Sequence, residues 1–138
     1  MTRLIQVITL FPEMFDKVLN SSMMWKAQDK GLVEFNLINL RDFGLGPRRS
    51  VDDTPYGGGD GMLLMIEPLS AAINAAKSRS SKAKVVLMTP RGQRWRQSLA
   101  QQWASSTNDY IFVCGRYEGV DERILTLVDE QISVGDYV

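Results

Sequence analysis

The sequence has 138 residues, which is enough for one domain with a substantial core and too few for two ordinary domains. Its 16 Lys and Arg residues balance 16 Asp and Glu residues, so the chain lacks the global basic field that drives nonspecific nucleic-acid binding. It has no histidine, which excludes histidine bases and histidine metal ligands, and its single cysteine excludes an intramolecular disulfide. No apolar run approaches the ~20 residues that span a bilayer, so we expect a cytoplasmic protein with no membrane partner.

The order of apolar and amphipathic segments indicates an α/β protein. Strands are predicted at Leu4 to Leu10, Val33 to Leu40, Lys84 to Met88, Tyr110 to Cys114 and Gln131 to Val134. Helices are predicted from Pro12 to about Lys30, from Pro68 onward, through Trp95, Leu99 and Trp103, and from Val120 to Val128. The inward face of the first helix is expected to carry Phe15, Val18, Leu19, Met23 and Trp25. This alternation predicts a mainly parallel sheet with helices on both faces.

Two glycine-bearing turns follow the last two predicted strands. They contain Gly115 and Gly135, and in an open α/β sheet small ligands bind where strands end in such turns. Glu118, before the predicted last helix, is read equally well as a helix-capping carboxylate or as a ligand contact.

The stretch Arg41 to Gly61 has no hydrophobic periodicity, and an irregular segment of that length is usually functional or mobile. Its glycine run, Gly57 to Gly61, lacks the Lys-Ser/Thr ending of a phosphate-binding loop, so a tight turn is the simpler interpretation. The arginines of this stretch are interpreted either as solvated side chains or as phosphate contacts. Its aspartates are interpreted either as solvated or turn-capping carboxylates or as metal ligands.

Several longer motifs occur together in this order and spacing: ITLFPEMF (8–15), LRDFG (40–44), VDDTPYGGGDGM (51–62), TPRG (89–92), CGRYEGVDER (114–123) and SVGDYV (133–138). On these motifs the chain resembles the bacterial tRNA (guanine-37-N1)-methyltransferases of the SPOUT class, over essentially its whole length. The resemblance implies an α/β fold with a deep trefoil knot, and an enzyme that transfers a methyl group from S-adenosyl-L-methionine to N1 of guanine 37 in tRNA.

The resemblance also implies which residues form the sites. Those expected to bind S-adenosylmethionine are Leu87, Met88, Thr89, Pro90, Gly92, Gly115, Tyr117, Glu118, Ser133, Val134, Gly135, Asp136, Tyr137 and Val138. Those expected to face tRNA are Arg41, Arg48, Arg49, Asp52, Asp53, Gly58 and Gly59. Glu118 is a possible contributor to catalysis, because the sulfonium tolerates only polar or anionic neighbours.

By the same resemblance, residues 1–138 form the cofactor domain, and the catalytic base, its partner arginine and the tRNA-clamping domain lie beyond Val138. We therefore expect this segment to be inactive alone. Family members are homodimers, so a homodimer is expected. Mg²⁺ is compatible with the reaction, but no ligand set in this sequence indicates a metal site.

Two other functions stay open from the sequence. The first is a binding module that senses S-adenosylmethionine or a nucleotide without catalysis. The second is a related SPOUT methyltransferase acting on ribosomal RNA.

Overall fold

A computed structural model of the chain describes residues 2–53, 63–115, 119–120 and 122–135. Its strands are β1 (Arg3–Thr9), β2 (Val33–Asn39), β3 (Asp52–Asp53), β4 (Leu63–Leu64), β5 (Ala83–Arg94), β6 (Asp109–Cys114), β7 (Gly119–Val120) and β8 (Glu130–Ser133). A 5-stranded sheet in the order β2-β1-β6-β5-β8 is parallel at every pairing. The predicted parallel α/β architecture is confirmed.

The helices are α1 (Pro12–Leu19), α2 (Ser22–Asp29), α3 (Ile66–Lys77) and α4 (Gln97–Ser105), with 3-10 helices at Leu40–Phe43 and Glu122–Leu127. Among the described residues, no helix is both long enough and apolar enough to cross a bilayer.

Alternating side chains give the large sheet two apolar faces. Val85, Leu87 and Ile111 belong to the main core together with the buried residues of α3. Val86 and Tyr110, which point the other way, pack against Leu99 and Trp103 of α4. Successive strand residues point to opposite faces, so helices cover both sides of the sheet, as predicted.

The prediction of a single helix from Pro12 to Lys30 is wrong, because the chain forms two helices separated at residues 20–21. The Asn20 side-chain amide donates to the Asp16 carbonyl at 2.8 Å, and the Ser21 hydroxyl donates to the Lys17 carbonyl at 2.5 Å. Such local bonds compete with the helical ladder. Ser22, the first residue of α2, takes a φ of 52°, so the chain turns where α2 begins.

The predicted inward face of this region is only partly correct. Phe15 and Leu19 are half-buried, whereas Val18, Met23 and Trp25 are 61%, 70% and 51% exposed. The break at residues 20–21 ends the 3.6-residue period that the prediction assumed, so Met23 and Trp25 of α2 do not continue the apolar face of α1.

The segment predicted as the last helix, from Val120 to Val128, also has a different structure. Val120 pairs with Leu64 in a short parallel ladder instead of entering a helix, and residues 122–127 form a 3-10 helix. Ile124 is fully buried in the core, with Leu127 and Val128 packed against it. The apolar spacing therefore identified the buried residues, although the backbone coils more tightly than an α-helix.

Candidate functional site

The carboxyl ends of three neighbouring strands come level at one edge of the large sheet. Met88 of β5 stands opposite Cys114 of β6 on one side and Ile132 of β8 on the other. The segments that follow these three residues are the three predicted from sequence to bind a ligand. The parallel register brings together the described parts of all three.

The first segment, residues 89–92, interrupts β5 instead of ending it. Met88 and Gln93 are both registered with Ile132, so the chain leaves the ladder after Met88 and rejoins it at Gln93. The sequence prediction ended this strand at Met88. The strand extends to Arg94 because β8 supplies a second set of pairing partners, which are distant in sequence.

The first segment lies directly against the backbone of β8. A Cβ atom built on Gly92 would stand 2.5 Å from the Gln131 carbonyl carbon and 2.5 Å from the Ile132 nitrogen. Because both are main-chain atoms, only glycine fits at position 92 without a shift of the strand. Just beyond it, the Trp95 N–H donates to the Ser133 carbonyl at 2.8 Å.

The third segment begins with a tight turn. The Ser133 hydroxyl donates to the Gly135 carbonyl at 2.8 Å and accepts from the Gly135 N–H at 3.3 Å. Ser133 itself is buried, whereas Val134 is 64% exposed. The turn therefore directs an apolar side chain outward at the sheet edge.

The other residues expected to bind the cofactor differ in access. Leu87 is 2% exposed, so only its backbone is available, and Met88 and Thr89 are half-buried while Pro90 is exposed. Gly115 is exposed, and a Cβ built on it meets nothing within 4 Å in the described part of the chain. Outside the described residues lie Tyr117, Glu118, Asp136, Tyr137 and Val138.

A cavity of about 360 Å³, which the sequence did not reveal, opens between the ends of β1 and β6. Its lining includes Thr9, Phe11, Met14, Cys114 and Gly115. The connection after β1 leads to β2 on one side, whereas that after β6 leads toward β8 on the other. Such a change of direction is where open α/β sheets form ligand crevices.

Cys114 lines this cavity but is not a reactive nucleophile. Burial raises the pKa of its thiol from 9.0 to about 11. The thiolate is the reactive form, so the side chain is protonated and inert at neutral pH.

The segment expected to face tRNA begins at the end of β2. Arg41, Arg48 and Arg49 are exposed, and the Arg49 guanidinium lies 3.7 Å from the Asp42 carboxylate. Gly58 and Gly59 lie outside the described residues. A Cβ built on Gly44 would collide with the Arg49 backbone, so the described part of this segment folds back closely on itself.

A small second sheet connects this segment to the candidate cofactor edge. Asp52 and Asp53 pair antiparallel with Leu64 and Leu63, and β4 pairs in parallel with β7, which comes directly after residues 116–118. This link has no local sequence signal, because each of the three strands has only two residues. Within the described ranges, no cluster of three or more acidic or thiol side chains is suitably placed to bind a metal ion.

The fold and the site define a parallel α/β domain whose glycine-bearing segments gather at the carboxyl edge of three adjacent strands. A family model described as tRNA (Guanine-1)-methyltransferase TrmD matches residues 3–138. The chain belongs to the tRNA (guanine-1)-methyltransferase family.

Individual relatives support the same assignment. The chain is 49% identical over 132 residues to the tRNA (guanine-N(1)-)-methyltransferase of Spiroplasma kunkelii, covering 96% of this chain and 49% of that protein. It is 50% identical over 135 residues to the enzyme of the same name from Macrococcus caseolyticus, covering 97% of this chain and 55% of that protein. The chain thus spans about half the length of the curated relatives it matches.

The fold agrees with a solved structure. The crystal structure of the tRNA (m1G37) methyltransferase from Aquifex aeolicus superposes with a TM-score of 0.89 at 36% identity, covering 100% of this chain and 62% of that one.

Proposed function

We propose that residues 1–138 form the S-adenosylmethionine-binding domain of an enzyme that methylates N1 of guanine 37 in tRNA. The observation that carries the proposal is the meeting of three segments at one sheet edge, level with Met88, Cys114 and Ile132. The three segments lie far apart in the chain, and their meeting at one sheet edge supports a site that all three share. The family assignment favours tRNA over ribosomal RNA as the substrate class.

The described residues fit this cofactor in two respects. Gly115 leaves open space at the edge, where a side chain would otherwise stand. Segments 89–92 and 133–135 follow Met88 and Ile132 at the same sheet edge as Gly115, and the main-chain groups of strand-end segments suit the adenine ring. Bound there, S-adenosylmethionine supplies an activated methyl group. The role of this chain is to hold that group in line with the guanine nitrogen.

The tRNA-facing role is proposed for Arg41, Arg48, Arg49, Asp52, Asp53, Gly58 and Gly59. Exposed guanidinium groups bind phosphates in bidentate geometry, and the pairing of β3, β4 and β7 runs from Asp52 toward the second cofactor segment. This link supports a site in which RNA and cofactor approach each other.

The proposal includes a cytoplasmic homodimer. Exposed apolar side chains on α1 and α2, among them Met14, Val18 and Met23, support a protein partner on this side of the domain.

The test is calorimetric titration of the chain with S-adenosylmethionine, beside a Gly115→Val variant. The added side chain meets open space in the described structure, so folding is expected to survive while the ligand is displaced. We expect saturable binding by the wild type and an affinity at least about tenfold weaker in the variant, a difference of ~1.4 kcal/mol.

Ala75→Val is the control, because it also introduces a valine side chain at an exposed position, here on α3. It is expected to bind like the wild type. If circular dichroism shows both variants folded and Gly115→Val binds with unchanged affinity, the proposed cofactor site at this sheet edge would be wrong.

A further inference from the structure

The hydroxyl of Ser133 is occupied within the protein. The side chain is 6% exposed, and its oxygen both donates to and accepts from the backbone of Gly135. A hydroxyl has one donor hydrogen, and here that hydrogen is already directed at the Gly135 carbonyl. Ser133 is among the residues expected from sequence to bind the cofactor, and its hydroxyl is used within the turn.

The backbone of Ser133 has a second function, since it joins two of the three segments at the sheet edge. Its carbonyl accepts the Trp95 N–H at 2.8 Å, and Arg94 is registered directly opposite it. Residues 93–95 directly follow the first segment, and residues 133–135 start the third. Ser133 therefore connects the chain that leaves the first segment to the start of the third.

Two further contacts make this junction rigid. Gly92 lies against the Gln131 and Ile132 backbone with no room for a side chain. At the other end of β8, the Asp129 carboxylate accepts the Val85 N–H at 2.8 Å, and the Asp129 N–H donates to the Val85 carbonyl at 2.8 Å. The strand carrying Ser133 is thus held to β5 at both ends.

We propose that Ser133 is a positioning residue of the cofactor site. Its hydroxyl closes the turn at residues 133–135 and its carbonyl ties that turn to the end of the first segment. The two segments then meet S-adenosylmethionine as one preformed unit. This inference rests on the proposed function, and it assigns Ser133 a role through the backbone of Gly135 rather than through contact with the ligand.

The test compares Ser133→Ala, Ser133→Thr and the wild type by calorimetric titration with S-adenosylmethionine, at a temperature where circular dichroism shows all of them folded. Ser133→Ala removes both hydroxyl bonds and is expected to weaken binding about tenfold, the size of effect that net loss of one or two hydrogen bonds produces. Ser133→Thr keeps a hydroxyl and is expected to restore most of the affinity.

Ser106→Ala is the matched control for general destabilisation. The Ser106 hydroxyl is also bonded inside the protein, donating to the Trp103 carbonyl at 2.9 Å and lying 3.0 Å from the Tyr110 hydroxyl. It precedes the amino end of β6, opposite the candidate site. Both alanine variants are expected to lower the urea midpoint, but only Ser133→Ala is expected to lower affinity.

A second measurement does not depend on any variant. If the turn is preformed, the Gly135 amide is protected from hydrogen exchange in the cofactor-free wild type. Free exchange of that amide, or equal affinities of Ser133→Ala and wild type, would overturn the inference while leaving the proposed function intact. Absence of any binding by the wild type would overturn the proposed function and this inference with it.

Discussion

Gly92→Ala tests whether the first segment packs on β8 as described. The new methyl carbon would stand 2.5 Å from two backbone atoms of Gln131 and Ile132, whereas carbon atoms in contact prefer about 3.5–4.0 Å. Relief requires a movement of roughly 1 Å between two main-chain segments. Overpacking of this kind costs about 1–3 kcal/mol, and the pairing of Gln93 and Arg94 with β8 is weakened as well.

We therefore expect Gly92→Ala to lose about 3 kcal/mol of unfolding free energy, a large share of the ~5–15 kcal/mol typical of a domain. The assay is urea unfolding followed by circular dichroism. With a slope of about 2 kcal/mol per molar urea, the midpoint falls by roughly 1.5 M. Gly115→Ala is the matched control, since its methyl group meets no described atom within 4 Å. A Gly92→Ala midpoint within about 0.2 M of the control would refute the described packing.

Two further predictions concern charge. The Cys114 thiol has its pKa raised from 9.0 to about 11 by burial. As pH rises, the thiol therefore loses its proton in the unfolded chain before it does so in the folded chain, which favours unfolding. Between about pH 8 and about pH 10 we expect the unfolding free energy of the wild type to fall by ~1 kcal/mol for this reason. The Cys114→Ala variant lacks the thiol and should not show this loss. Equal pH slopes in urea unfolding would contradict the described burial. Replacing Arg48 and Arg49 together by alanine should make the affinity for an anticodon stem-loop less dependent on salt. The slope of log affinity against log salt concentration should fall in magnitude by about 1 or more, because each lost phosphate contact reduces it by about 0.7. The control is Arg79→Ala, an exposed arginine paired with Glu34 at 3.3 Å, and an unchanged slope in the double variant would exclude these arginines from the RNA site.

The main elements of the fold could be predicted from the sequence because their signals are local. Buried parallel strands are short apolar runs. Four predicted runs coincide with strands of the large sheet to within about one residue at each end, whereas β5 extends beyond its predicted end at Met88 to Arg94. The buried face of α3, with Leu69, Ala72, Ile73 and Ala76, also follows from helical spacing alone.

A ligand site at two of the candidate cofactor segments, those after β6 and β8, was predicted for the same reason, and the resemblance added the segment 89–92. Parallel strands place their carboxyl ends at one edge, so turns that follow different strands meet there. The resemblance added which ligand to expect, and the residues expected to contact it stay predictions.

The tertiary structure alone decided how those segments are held. The return of β5 to its ladder at Gln93 depends on β8, and the pairing of Leu63 with Gly119 joins residues far apart in the chain. Strand pairing of this kind has no local signature when strands have only two residues. The occupied hydroxyl of Ser133 likewise depends on the conformation of its turn. The sequence by itself determined the strands of the large sheet and the buried face of α3, because periodicity reports burial. Only the three-dimensional packing determined which backbone groups are still available to a ligand, because that depends on partners elsewhere in the chain.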